Sequence, residues 1–171
     1  MANKVGTIKL RGNPVTLVGS KVQVGGPAPS FTAVGNDLKA VSLSDYKGKV
    51  VVLATVPSLD TPVCDMETRR FNSEAVKLGD AVAILTVSMD LPFAQARWCG
   101  AAGVDRLTTL SDHRQAEVGL GYGILIEELR LLARAVFVID REGILRYQEV
   151  VGEVANEPDY PAALEAVRKC L

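Results

Sequence analysis

Cys64 lies in VPSLDTPVCDMETRRF, residues 56–71, and is the side chain best placed to act as a nucleophile. The preceding run KVVVLATV (49–56) reads as a strand buried on both faces. Thr61 and Pro62 read as the start of a helix, with Thr61 at the N-cap and Pro62 at the first helical position. Counting on, Cys64 is the third helical residue. Backbone N–H groups there lack helical partners, and the positive end of the helix dipole favours a thiolate. A free thiol titrates near about 8.5, so such a position raises the thiolate fraction at neutral pH. The acids Asp60, Asp65 and Glu67 oppose this, so the thiolate needs a cation from elsewhere. Arg134 is the candidate: it interrupts LLARAVFVID, otherwise a buried strand, and faces either a partner or a sheet edge. The competing reading of Cys64 is a small buried hydrophobe, the common fate of a free cysteine. Its place at a strand-to-helix turn, where α/β sheets put their sites, weighs against that.

The other thiols are Cys99 and Cys170, and the only histidine is His113. An odd number of cysteines at wide spacings, with no CxxC and no Cys/His set, argues against a zinc site, a secreted disulfide framework and a disulfide oxidoreductase. His113, in LSDHRQ, reads as a surface residue entering a short helix capped by Ser111 or Asp112. A lone histidine without a hydrolase motif makes Cys–His or Ser–His chemistry a weak reading.

The elements that must position these residues follow from periodicity. Residues 6–18 alternate around Gly12-Asn13-Pro14 and read as an N-terminal β-hairpin. KVQVGGPAPSF reads as an extended connector. Residues 62–78 read as a helix and 80–89 as a second buried strand. A helix is expected over 91–99, with Asp90 or a neighbour as cap, Pro92 in its first turn and Gly100 as its stop. A short strand at 107–110 and a short helix at 113–119 come next. ARAVFVID and ILRYQEVV read as a hairpin turning at Arg141-Glu142-Gly143, and 157–170 as a closing helix. Strands alternating with helices, then a closing hairpin, predict an α/β fold: a thioredoxin-like sandwich, a mixed sheet flanked by helices, with the N-terminal hairpin (1–18) as an extension. The chain is expected to form a single domain over 1–171.

Composition narrows the function classes. With 171 residues the chain is long enough to bury roughly 70% of its unfolded surface without staples. Nineteen Lys+Arg against twenty Asp+Glu leave no basic excess for a phosphate backbone, so no nucleic-acid partner is expected. The first residues carry no apolar signal segment, and the longest apolar run, Val50–Val56, is far short of the roughly twenty residues of a membrane span. A cytoplasmic protein without membrane association is expected.

The motifs then show a resemblance. PSLDTPVC matches the peroxiredoxin pattern Pro-x-x-x-Thr-x-x-Cys, with Pro57, Thr61 and Cys64 in its three places. DLPFAQARWCG (90–100) resembles the segment bearing the resolving cysteine in the bacterial thiol peroxidase subfamily, the atypical two-cysteine peroxiredoxins. ARAVFVID puts Arg134 where that family has its active-site arginine, and the N-terminal hairpin is a further shared feature. The resemblance spans essentially the whole chain.

It implies a thioredoxin-dependent peroxidase that reduces hydrogen peroxide and organic hydroperoxides. Cys64 would be peroxidatic and be oxidised to sulfenic acid. Cys99 would resolve it as an intramolecular Cys64–Cys99 disulfide, and thioredoxin would reduce that bond. Thr61 and Arg134 would hold peroxide and thiolate and stabilise the departing oxygen. Pro57 would shield the pocket. The resemblance implies no metal, haem, flavin or other cofactor, and a homodimer. Cys64 and Cys99 sit on different expected helices, whereas a disulfide needs Cα atoms within about 7 Å. Bond formation is therefore expected to unwind 61–66 and the end of the second helix, eased by Gly100 and Gly103.

Cys170 reads as a tail thiol without a role; its rival reading is a resolver acting across a dimer. Tyr46, Phe93 and Trp98 are either core residues or the lining of an apolar pocket near the thiols. The runner-up function is a peroxide-sensing thiol–disulfide relay on the same fold, and a third is a non-catalytic interaction domain with an inert Cys64.

Overall fold

The structure is a computed structural model and describes residues 2–171. Lys4–Leu10 (β1) and Asn13–Val18 (β2) pair antiparallel as the expected hairpin. The turn is Arg11-Gly12, with both residues at positive φ (52° and 81°), the two-residue geometry whose twist matches the strands. It thus lies one residue ahead of Gly12-Asn13-Pro14, and Pro14 sits inside β2 opposite Lys9.

Thr32–Val34 (β3) and Ala40–Ser42 (β4) form a small hairpin that the sequence pattern does not announce, because each strand is only three residues long. Then come Val50–Thr55 (β5), Pro62–Leu78 (α1), Val82–Ser88 (β6), Pro92–Ala102 (α2) and Thr108–Ser111 (β7). The chain continues through Glu117–Gly121 (α3), Leu125–Ile126 (β8), Leu131–Leu132 (β9), Ala135–Ile139 (β10), Leu145–Val150 (β11) and Tyr160–Cys170 (α4).

The main sheet has the order β11-β10-β5-β6-β7-β3-β4. Its centre, β5-β6-β7, is parallel, joined by crossovers through α1 and α2, and the flanking strands are antiparallel. This is the α/β, thioredoxin-like architecture. The central strands are covered on both faces, so their side chains divide with period two. Val51 and Leu53 of β5, Leu85 and Val87 of β6, and Phe137 of β10 enter one core. Val50, Val52, Ile84, Val136 and Val138 enter the other. Phe71 and Ala75 of α1 and Tyr160, Ala163 and Val167 of α4 close the second core.

The first core is closed by a four-stranded sheet, β1-β2-β8-β9, which contributes Ile8, Leu17, Leu125, Ile126 and Leu132. The N-terminal hairpin is therefore completed by strands from the middle of the chain and forms a wall of the main core.

Two helix boundaries differ from expectation. The N-cap of α2 is Leu91, because the Asp90 carboxylate is engaged elsewhere. The helix runs through Gly100 and stops at Gly103, whose left-handed φ of 66° lets its N–H bond back to Cys99 O. Helix α3 begins at Glu117, because Ala116 at φ 54° breaks the path before it. Asp112 still caps it, accepting from Val118 N (3.2 Å) and Gly119 N (2.9 Å).

Candidate active site

The site forms where β5 ends. Residues 56–61 leave the sheet as a tight loop and enter α1 at Pro62. Thr61 occupies the N-cap with an extended backbone, but its side chain does not cap. The Thr61 hydroxyl and N–H both donate to Ser58 O, at 3.0 and 3.1 Å, closing a turn over 58–61. Asp90, which with its neighbours was a candidate cap for α2, leaves that place to Leu91 and anchors this loop. It accepts from Ser58 Oγ (2.7 Å), Leu59 N (2.8 Å) and Ser88 Oγ (2.6 Å). The end of β6 therefore holds the loop that leads to Cys64. Pro57 is buried in the same loop, beside Val56 at 0% exposure.

Cys64 is the third residue of α1, as counted from the sequence. The first N–H to bond within the helix is that of Asp65, to Thr61 O at 3.0 Å, so the Val63 and Cys64 N–H groups have no helical partner. The thiol is fully buried against Val56 and Leu59, with Trp98 packed on the same cluster. Thr68 Oγ1 donates to Cys64 O at 2.8 Å and seals the next turn.

Arg134 is 1% exposed and lies neither on an edge nor in solvent. It precedes β10, an interior strand antiparallel to β5, and Ala135 pairs with Thr55, the last residue of β5. This register delivers the guanidinium to the point where the loop begins. Arg134 Nη2 donates to Cys64 Sγ at 3.3 Å, Nε donates to Val154 O at 3.0 Å, and Nη1 is hydrogen-bonded to Glu67 Oε2. All the nitrogens of the fork are thereby directed, which locks its orientation. Burial works to lower the Arg134 pKa, but the Glu67 carboxylate and Cys64 outweigh it and hold the group above its ordinary value.

Glu67, expected from the sequence as an acid opposing the thiolate, is the partner of Arg134. It is 0% exposed and hydrogen-bonded to Arg134, so it aims the guanidinium. Burial, only partly offset by Arg134, pushes its carboxyl up to about 7. The available signal was its spacing, three residues after Cys64 and hence on the same helical face. Asp65 is likewise occupied, accepting from Arg69 Nε (2.9 Å) and from Trp98 Nε1 (3.0 Å).

All three cysteines are free thiols. Trp98 turns toward Cys64, whereas the next residue, Cys99, turns toward β7, with Sγ 3.4 Å from Thr109 Oγ1. Cys170 ends α4 and packs on the far core against the sheet, where burial raises its thiol pKa. Of the three aromatics proposed for a pocket, only Trp98 adjoins Cys64. Phe93 is 68% exposed, and Tyr46 packs at the other end of β5, beside Lys49 and Val51. Among the described residues no group of three or more His, Cys, Asp or Glu side chains is arranged to hold a metal.

This geometry joins a buried cysteine on a helix N-terminus to an arginine fixed by a glutamate, on a thioredoxin-like sheet. The Redoxin family matches residues 23–164. The chain is 56% identical to a thiol peroxidase of Oceanobacillus iheyensis, over 95% of this chain and 98% of that protein. It is 55% identical to a thiol peroxidase of Bacillus subtilis, over 94% and 96% respectively. The fold superposes on a peroxiredoxin-like protein from Aquifex aeolicus with a TM-score of 0.91, 41% identity and 99% coverage of both chains. The chain belongs to the Redoxin family, in its thiol peroxidase group.

Proposed function

We propose that Cys64 is the residue on which this thiol-dependent peroxidase consumes its hydroperoxide. The observation that carries the assignment is the 3.3 Å contact from Arg134 Nη2 to Cys64 Sγ, between two side chains that are 1% and 0% exposed. A guanidinium so placed stabilises a thiolate and can donate to the departing oxygen. The sulfur attacks the terminal peroxide oxygen. The O–O bond breaks, Cys64 becomes a sulfenic acid, and water or an alcohol leaves. Cys99 then condenses with the sulfenic acid, expelling water and forming Cys64–Cys99, and thioredoxin reduces that bond through a mixed disulfide. Pro57 shields the thiol.

Thr61 supports peroxide binding once its hydroxyl turns away from Ser58 O. Because Cys64 is 0% exposed, peroxide entry requires Leu59 or Trp98 to shift, and the start of α1 is the segment that yields. The turned-away Cys99 supports unwinding at the end of α2 during resolution. No helix among the described residues is long and apolar enough to cross a membrane. A cytoplasmic homodimer is the assembly proposed.

The sensing relay is not favoured, since the relatives at 55–56% identity are named as peroxidases. The test is one equivalent of cumene hydroperoxide on the reduced protein, followed by Trp98 emission, a thiol count and a nonreducing gel. Three thiols should fall to one, with a Cys64–Cys99 peptide and no mass doubling. Three surviving thiols would refute the assignment of Cys64. A dimer-sized band mapping to Cys64–Cys170 would make Cys170 the resolver.

A further inference from the structure

Successive side chains leave a helix about 100° apart, so Trp98 and Cys99 cannot both face Cys64. Trp98 does, and Cys99 faces the sheet. Gln95, one turn earlier on the same face as Cys99, fixes that face against β7 by donating to Leu110 O at 2.9 Å. The partner of Cys99 is the Thr109 hydroxyl, 3.4 Å away and 2% exposed. That hydroxyl has a single hydrogen, and it is directed to Asn36 Oδ1 at 3.0 Å, an atom that only accepts. Thr109 therefore offers Cys99 only lone pairs, and the S–H must be the donor. Asn36, on the loop between β3 and β4, thus orients Thr109, and Thr109 holds the Cys99 thiol on β7.

We propose that Thr109, oriented by Asn36, is a positioning residue for the resolving step: it docks the Cys99 thiol away from Cys64 and sets the rate at which Cys99 is released to form the disulfide. The proposal rests on the reading of Cys64 and Cys99 as the reacting pair. In that step an S–S bond forms, the S–O bond of the Cys64 sulfenic acid breaks, and the Cys99 proton leaves with the hydroxide as water. The competing step is a second hydroperoxide oxidising the sulfenic acid to sulfinic acid, with water or alcohol released. A docked Cys99 lengthens the life of the sulfenic acid and favours the second route.

Thr109→Val keeps the shape of a buried strand residue and deletes the acceptor, whereas Thr109→Ser keeps the hydroxyl. Reduced full-length variants are mixed with cumene hydroperoxide. The slow phase of Trp98 emission reads disulfide formation, and mass spectrometry at high peroxide reads the sulfinic acid. Thr109→Val should speed the slow phase about twofold, the factor carried by one weak hydrogen bond from an S–H donor, and lower the sulfinic fraction. Thr109→Ser should match wild type. Asn36→Ala, at an exposed position, should shift both readouts in the direction of Thr109→Val.

Two outcomes overturn the proposal alone, given a wild-type peptide map that contains Cys64–Cys99. One is a Thr109→Val slow phase no faster than wild type. The other is a serine variant that behaves like the valine, which would make packing, not the hydroxyl, the cause. A wild-type map that lacks the Cys64–Cys99 bond overturns the pair itself, and the proposal with it.

Discussion

Replacing Glu67 by glutamine removes a titrating carboxyl from the interior while keeping its shape and an acceptor for Arg134 Nη1. In the folded protein burial lifts this carboxyl from an ordinary 4.5 to about 7. Each pKa unit is worth about 1.4 kcal/mol, so the whole shift is worth roughly 3 kcal/mol. Glu67 is 0% exposed, so solvent screening does not reduce that figure. The folded state binds this proton more tightly than the unfolded chain does. Its contribution to stability is therefore complete below about pH 4.5 and is lost as the pH rises through about 7. Neutral glutamate and glutamine differ little, so wild type and Glu67→Gln should be similar near pH 5. At pH 8 the variant should be more stable by roughly 2–3 kcal/mol, since it escapes the cost of burying a charge that Arg134 only partly repays. The assay is urea unfolding of both reduced proteins at pH 5 and pH 8, read by Trp98 emission and far-UV circular dichroism. Stability curves that run parallel across that range would refute the reasoning, because they would mean that Glu67 has the same proton affinity folded and unfolded.

Two further variants test the same packing. Arg134→Met deprives Glu67 of its partner, so the carboxyl takes up a proton at pH 8, and the loss of the pair should cost about 1–2 kcal/mol more at pH 8 than at pH 5, where Glu67 is already protonated. The same variant should slow Cys64 oxidation at least about 100-fold in stopped-flow mixing; a rate within a factor of three of wild type would remove Arg134 from the chemistry. Phe71 is 1% exposed and meets the Tyr160 ring edge-on at 5.5 Å between α1 and α4. Phe71→Ala should cost about 3–5 kcal/mol in urea unfolding, and a loss under 1 kcal/mol would mean that the helices close the gap.

Local pattern alone determined a good deal about this protein. The runs at 49–56 and 80–89 are apolar without alternation, and strands of that kind must be covered on both faces. The parallel centre of the sheet follows from them. Thr61-Pro62 sets the start of α1 to the residue, and hence puts Cys64 in its first turn, because capping and proline preferences act within a few bonds. The motif around Cys64 and the segment around Cys99 marked both thiols. The stop of α2 was displaced from Gly100 to Gly103 because only the backbone path selects which of the two adopts positive φ, and the hairpin turn moved by one residue because Arg11, not a glycine, takes the positive φ beside Gly12. The strands β3, β4, β8 and β9 were missed because two or three residues carry no period.

The site needed the tertiary structure. Arg134 read equally as a surface arginine, and only the antiparallel pairing of β10 with β5 carries it inward to Cys64. Glu67 read as an acid opposing the thiolate, and Asp90 or a neighbour as a cap. Their partners, Arg134 for the one and Ser58 and Leu59 for the other, stand 67, 32 and 31 residues away along the chain. The same holds for Cys99, whose type and segment were legible but whose direction was not, since the Thr109 and Asn36 that hold it come from other strands and loops. Sequence preferences act over a turn of helix or a pair of strand residues. The charge environment of Cys64 and the contacts of Cys99 are set by groups that meet only when distant segments pack, and that is why the place of Cys64 in its helix was legible and its surroundings were not.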